Sequence, residues 1–283
     1  MKRFVDVKND VAFRKIFGNE KKTQILISFL NAILHLEEDQ RIEQVTIINP
    51  NLLPRVAGVK ASIIDVRAKD KSGRQFVVEI QVADADGFDK RVQYYTCRDY
   101  SSQIERGEQY PLLRPTYFIG ILDFNFFDST DYISNHIILN GKTYEHELTD
   151  IQFTFIESRK FDKDVEQLSS LTEKWIFFIK NSEDLMVIPE NINDEGLIEA
   201  YKDAEKHRWN RDELIEYDNA SIAEQDARGR LIAAEKKGMR KGRNERDEEI
   251  IQNCLKANML PENISKIVDL PLSEIGRASC RER

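Results

Sequence analysis

Apolar residues recur at helical spacing through the first 35 positions: Val11, Phe13, Ile16 and Phe17, then Ile25, Leu26, Phe29, Leu30, Ile33 and Leu34. A period of this kind predicts helix over residues 9–35. Gly18-Asn19 should break it into two segments. Residues 42–49, just ahead of Pro50, read as a strand. Two short runs rich in β-branched and aromatic residues follow, 61–68 and 74–82, with a Gly-containing turn over 69–73 between them. That pattern predicts a β-hairpin. Residues 88–106 return to helix and 114–124 to a buried strand. A helix between two strands fits a parallel crossover, which makes the fold class α/β.

Further along, His136 to Leu139 and Ile151 to Ile156 are two more strand candidates that extend the sheet. Residues 163–180 and 195–217 read as helices, with Trp175, Phe177 and Phe178 in the core. Residues 219–253 are highly charged and contain the basic run Lys236 to Arg246. The run can contact nucleic acid, pair with an acidic partner, or be a solvated helix face. Residues 247–274 then read as a small two-helix unit, with Pro261 and Pro271 near the helix starts. Such a unit resembles a short helix-turn-helix that can bind DNA, and it can equally dock onto another chain.

The hairpin carries the candidate chemistry. Residues two apart on a strand share a face. Glu79 and Gln81 therefore project together with Val77, opposite Val78, Ile80 and Val82. On the first arm Ile63, Asp65 and Arg67 share a face. One side of the hairpin can gather Asp65, Glu79 and Gln81 among buried aliphatic neighbours. A carboxylate there is costly unless it is paired or bound to a metal. Two nearby carboxylates suit a hard cation such as magnesium. The alternative is a set of satisfied polar groups on the open side of an ordinary antiparallel sheet. Asp10 is either a further metal ligand or, with Asn9, a candidate cap of the first helix. On the helix over 88–106, Arg91, Tyr94 or Tyr95, and Arg98 lie three or four apart and can share a face, as nucleic-acid contacts or as core and surface residues.

Four stretches in order resemble the PD-(D/E)XK nuclease family transposases and the recombination-promoting (Rpn) nucleases. They are Asn9 to Gly18, Ile64 to Ala68, Val78 to Gln81, and Arg91 to Tyr95 through Gly107 to Leu113 into Thr116 to Phe124. The resemblance implies a restriction-endonuclease-like PD-(D/E)XK core, ordered helix–strand–strand–strand–helix–strand, with a helical C-terminal extension. It implies metal-dependent endonuclease cleavage of DNA phosphodiesters, linked to recombination, mobile elements or defence. Asp65, Glu79 and Gln81 would be catalytic. Asp65 and Glu79 would hold Mg²⁺, for which Mn²⁺ can substitute, and Gln81 would orient a water. Here the chain departs from the usual triplet, which ends in lysine. Gln81 offers only a neutral amide, so Lys69, Arg67 or Arg91 is expected to supply the missing charge. The same departure supports the alternative of a catalytically inactive DNA- or protein-binding module on a nuclease fold.

Composition adds limits. The chain has 283 residues, a formal charge of −8 and 33% charged residues. An acidic balance argues against indiscriminate coating of nucleic acid but leaves room for a local basic cleft. No apolar run approaches the roughly 20 residues of a membrane span, and the N-terminus lacks a signal-peptide core. Cys97, Cys254 and Cys280 show no metal-ligand spacing. A cytoplasmic protein, oligomeric or partner-bound through its C-terminal helices, fits these features. The expected organisation is a nuclease-like domain over 1–160, a helical extension packed on it over 161–218, a charged helix or linker over 219–253 and a two-helix unit over 254–274. Residues 275–283 translate a common sequencing-library adapter and read as an artefact, with the native chain ending near Glu274.

Overall fold

Helix α1 (Asp10–Phe17) begins at Asn9, whose side-chain oxygen accepts hydrogen bonds from the N–H groups of Val11 and Ala12. It ends at Gly18, and α2 (Gln24–Leu34) follows the expected break. In the computed structural model, which describes residues 2–52 and 62–275, the chain continues through β1 (Val45–Ile47), β2 (Asn51–Leu52), β3 (Ser62–Ile63), β4 (Val66–Asp70), β5 (Gln75–Gln81), α3 (Phe88–Ser101), β6 (Thr116–Leu122), β7 (Ile133–Ile138), β8 (Leu148–Glu157), α4 (Leu171–Asn181), α5 (Glu195–Ala204), α6 (Arg211–Lys256) and α7 (Pro261–Val268). Six strands form one sheet in the order β1-β4-β5-β6-β8-β7, while β2 and β3 pair separately. The β5–β6 and β6–β8 pairs are parallel and the other pairs antiparallel.

Strand alternation sets the layers. Phe76, Val78 and Ile80 of β5, with Tyr117, Ile119 and Ile121 of β6, enter one large core that α1, α2, α4 and α5 cover. Val77 and Phe118 enter a second core with Phe88 and Val92 of α3. The sheet is therefore sandwiched between helices, as parallel strands require. Trp175, Phe177 and Phe178 are buried in the first core, as their spacing predicts. The β4–β5 hairpin turns through Asp70, whose carboxylate accepts from the N–H groups of Ser72 and Arg74, and through Gly73 at φ +92°. Only glycine adopts that φ without strain.

Several expected boundaries shift for tertiary reasons. The strand over 42–49 reduces to β1, the segment that pairs with β4. The helix over 195–217 is cut between α5 and α6, because the N-terminal segment takes up the chain there. Val5 N–H donates to the Ala204 carbonyl at 2.9 Å and Lys206 N–H to the Arg3 carbonyl at 2.9 Å. The helix over 163–180 begins later, at α4, where Ser170 caps it. Ala61, the first residue of the expected hairpin arm, lies outside the described residues. So do Gly276 to Arg283, most of the tail read as adapter.

The chain divides into two compact units, Met1–Ser221 and Ile222–Arg283, and the six-stranded sheet belongs to the first. In the second, Ile251, Ile264, Val268 and Ile275 form a small buried cluster. Pro261 opens α7 at its first position, where its missing N–H costs nothing. Among the described residues no helix is long and apolar enough to cross a membrane.

Gly120 of β6 is a tight point in the second core. A Cβ there would lie 2.9 Å from Cδ1 of Phe155. Gly120→Val should therefore overpack the α3 side of the sheet and cost about 1–3 kcal/mol. Thermal unfolding should register a lower Tm; an unchanged Tm would mean that Phe155 moves aside freely.

Candidate active site

The antiparallel ladder between β4 and β5 ends at the pair Val66↔Val78. Asp65 lies one residue before β4, at a bend and not within the strand as the periodicity predicts. Its Oδ2 accepts the N–H of Ile80 at 2.9 Å. The side chain thus supplies an acceptor where the backbone leaves the ladder. Glu79 lies in β5, buried, in register with Gly120 of β6. It shares its face with Val77 and so turns toward the α3 side. The bend and the hairpin together bring Asp65 and Glu79 to one place. That place is not an open sheet face, since every residue of β5 up to Ile80 is buried.

Helix α3 adds a cation. Its Arg91 donates from Nη2 to Oε1 of Gln81 at 2.5 Å and lies 3.7 Å from Oε1 of Glu79. The guanidinium also sits 5.1 Å over the Phe88 ring. The amide of Gln81 is anchored at its other end, where Nε2 donates to the Ala83 carbonyl at 3.1 Å. Oε2 of Glu79 and Nε of Arg91 are buried and have no hydrogen-bond partner among the described residues. Of the other expected sources of charge, Arg67 is committed to Asp99, Gln75 and Ser102, and Lys69 is exposed.

Both carboxyls are hard to ionise. Burial pushes Asp65 up to about 6, against the opposing Ile80 hydrogen bond. Burial, and then the charge of Asp65, push Glu79 up to about 8. The charge of Asp10 raises both, and Arg91 lowers both. Asn9 is the residue that caps α1, so the exposed Asp10 side chain is left to bear on the two carboxyls. Arg14, one turn after Asp10, lowers Asp65. Burial and the Glu79 charge raise the Tyr95 phenol, one turn after Arg91. Sequence reasoning passed over Arg14, although its i+4 spacing from Asp10 was the available signal. Tyr94 is exposed, and the Arg98 guanidinium lies 5.9 Å from its ring.

Among the described residues no three His, Cys, Asp or Glu side chains form a ready-made metal cage. Magnesium does not need one, since it is commonly held by one or two carboxylates plus waters and substrate phosphate. A cation would relieve the repulsion between Asp65 and Glu79 and partner the orphaned Oε2, so the residues fit such an ion.

Without a divalent cation, the buried charge should show in stability. Folding holds a proton on Glu79 that the unfolded chain releases near 4.5. The resulting stability is fully present below that value and is lost as the pH rises toward 8. Glu79→Gln should therefore raise Tm in EDTA at pH 8, with a gain that shrinks at pH 5. An equal effect at both pH values would show that the carboxyl is not strained by burial.

The sequence model of the PD-(D/E)XK nuclease family transposases matches residues 7–234. No curated protein and no solved structure gives a match. The matched span contains α1, the hairpin with Asp65 and Glu79, and the crossover that carries Arg91. Coverage of that extent, over the elements that build the acidic site, makes this chain a member of the PD-(D/E)XK nuclease family transposase family.

Proposed function

We propose that the chain is a metal-dependent DNA endonuclease, serving recombination, mobile-element or defence processes. The observation that carries this reading is the buried Glu79 beside Asp65, its Oε2 without a hydrogen-bond partner among the described residues. A buried carboxyl facing the charge of a half-buried one costs stability rather than adding to it, which points to a role in function. Within this reading residues 1–160 form the PD-(D/E)XK core and 161–218 pack on it, with the later helices available for DNA or a second chain.

Asp65 and Glu79 would hold Mg²⁺, or Mn²⁺ in its place, with Asp10 as a further carboxylate whose charge reaches both. Bound there, the ion would lower the pKa of a water and stabilise the leaving oxygen. Asp65 is oriented for this by the Ile80 N–H, which fixes one of its oxygens. Glu79 is oriented by the rigid strand that carries it. Tyr94 and Arg98, farther along α3, would meet the nucleic acid backbone or a splayed base.

Incubation of supercoiled plasmid with Mg²⁺ or Mn²⁺ tests the reading. The wild type should nick or linearise it, and Asp65→Ala should abolish cleavage while leaving the far-UV circular dichroism spectrum intact. Full activity in that variant would refute the assignment. Cleavage by neither protein, on duplex, single-stranded DNA or RNA, would favour the inactive binding module, which the absence of lysine at Gln81 supports. In the same buffers Mg²⁺ should raise Tm for the wild type and much less for Glu79→Ala.

For binding, Arg98→Ala should weaken affinity for DNA of any sequence and reduce the slope of log K against log salt by about 1. An unchanged slope in a fluorescence-anisotropy titration would remove Arg98 from the interface.

A further inference from the structure

We infer that Arg91 supplies the catalytic positive charge that the lysine of the usual triplet would provide, and that Gln81 is the positioning residue that holds it. The inference rests on the endonuclease reading and assigns the roles of two residues within it. A triplet ending in glutamine has no cation of its own. Here the Gln81 side chain is used otherwise. Its Oε1 accepts from Nη2 of Arg91 at 2.5 Å, while its Nε2 is tied to the Ala83 carbonyl at 3.1 Å. With both ends of the amide engaged, Gln81 is a bracket and not a free water ligand.

The bracket places the guanidinium where a lysine at position 81 would reach. Arg91 Nη2 lies 3.7 Å from Oε1 of Glu79, and the Phe88 ring supports the guanidinium at 5.1 Å. Its Nε is buried and has no partner among the described residues. An ordinary structural arginine would use its donors on protein acceptors, as Arg67 does with Asp99, Gln75 and Ser102. Arg91 spends Nη2 on the neutral Gln81 amide, and its side chain stays partly exposed beside the carboxylates. A guanidinium suits a phosphate oxygen through its fork of N–H donors, and it stays charged at every working pH. In the reaction it would donate to a non-bridging oxygen of the scissile phosphate as negative charge builds there. No bond to Arg91 forms or breaks, and no proton leaves it.

Single-turnover cleavage of a duplex oligonucleotide with Mg²⁺ tests the assignment. Arg91→Ala should slow the chemical step on the order of 10²-fold or more, the usual loss for one transition-state donor, with a smaller change in DNA affinity. Gln81→Ala should lower kcat with KM little changed, because the guanidinium is still present but no longer held. The deciding variant combines Arg91→Ala with Gln81→Lys, which returns the cation to the triplet. It should recover at least about tenfold over Arg91→Ala, and added guanidinium ion at sub-denaturing concentration should partly restore Arg91→Ala alone. A structural role for Arg91 predicts neither recovery. Wild-type rates in Arg91→Ala, or no recovery by either route, would overturn the inference while the metal site of Asp65 and Glu79 stands. A wild type that cleaves nothing would overturn the endonuclease reading and this inference with it.

Discussion

Burial of charge is the constraint that organises this protein. A carboxylate moved out of water without compensation costs several kcal/mol, and here the buried Glu79 and the half-buried Asp65 are placed against a sheet covered on both faces. Each available form of compensation is partial. Asp65 receives one backbone N–H, Glu79 has Arg91 at the edge of ion-pair distance, and Asp10 makes matters worse for both. Elsewhere the same fold gives buried acids hydrogen-bond partners on both oxygens. Asp99 is held by Arg67 and Thr116, and Glu157 by the N–H groups of Phe126 and Phe127 with Lys160. The contrast between completed and incomplete partnerships separates structural acids from the candidate site without any appeal to family.

The strand alternation that makes the core also makes the site. Phe76, Val78 and Ile80 anchor β5 to the large core, so Glu79 and Gln81 must face α3. The crossover that returns the chain from β5 to β6 then supplies Arg91 on that same face. Core packing and site assembly are one geometric decision. A slip of one residue in β5 would exchange them, sending Glu79 into the aliphatic core.

Much of this was legible in the sequence because it depends on local period. The two N-terminal helices, the hairpin, the crossover helix and the buried strand after it all follow from apolar spacing. So does the shared face of Glu79 and Gln81. What the sequence concealed depends on contacts between distant segments. Asp65 leaves its strand because its side chain finds the Ile80 N–H, and no periodicity encodes that. The break after Ala204 arises because residues 3–5 pair there. Asn9 and Asp10 are equally good caps by composition, and only the geometry chose Asn9 and left the exposed Asp10 where its charge raises both carboxyls. The link from Gln81 to Arg91 spans ten residues and needed the turn at Gly87, with φ +73°, to bring the helix back over the strand.

The cap of α1 has a consequence in time. Asn9 also donates from Nδ2 to Oγ of Ser221 at 3.1 Å, a contact between residues 212 positions apart. Asp6 N–H likewise meets the Tyr217 hydroxyl at 2.9 Å. The start of α1, and with it Asp10, is therefore seated by a segment made late in synthesis. At about 5–20 residues per second, a ribosome would take on the order of ten to forty seconds to pass from one side of that contact to the other. In the later part of that interval, with the hairpin and crossover already made, α1 still lacks its contacts to Tyr217 and Ser221. The seat of α1 is thus completed only near the end of translation of the first unit.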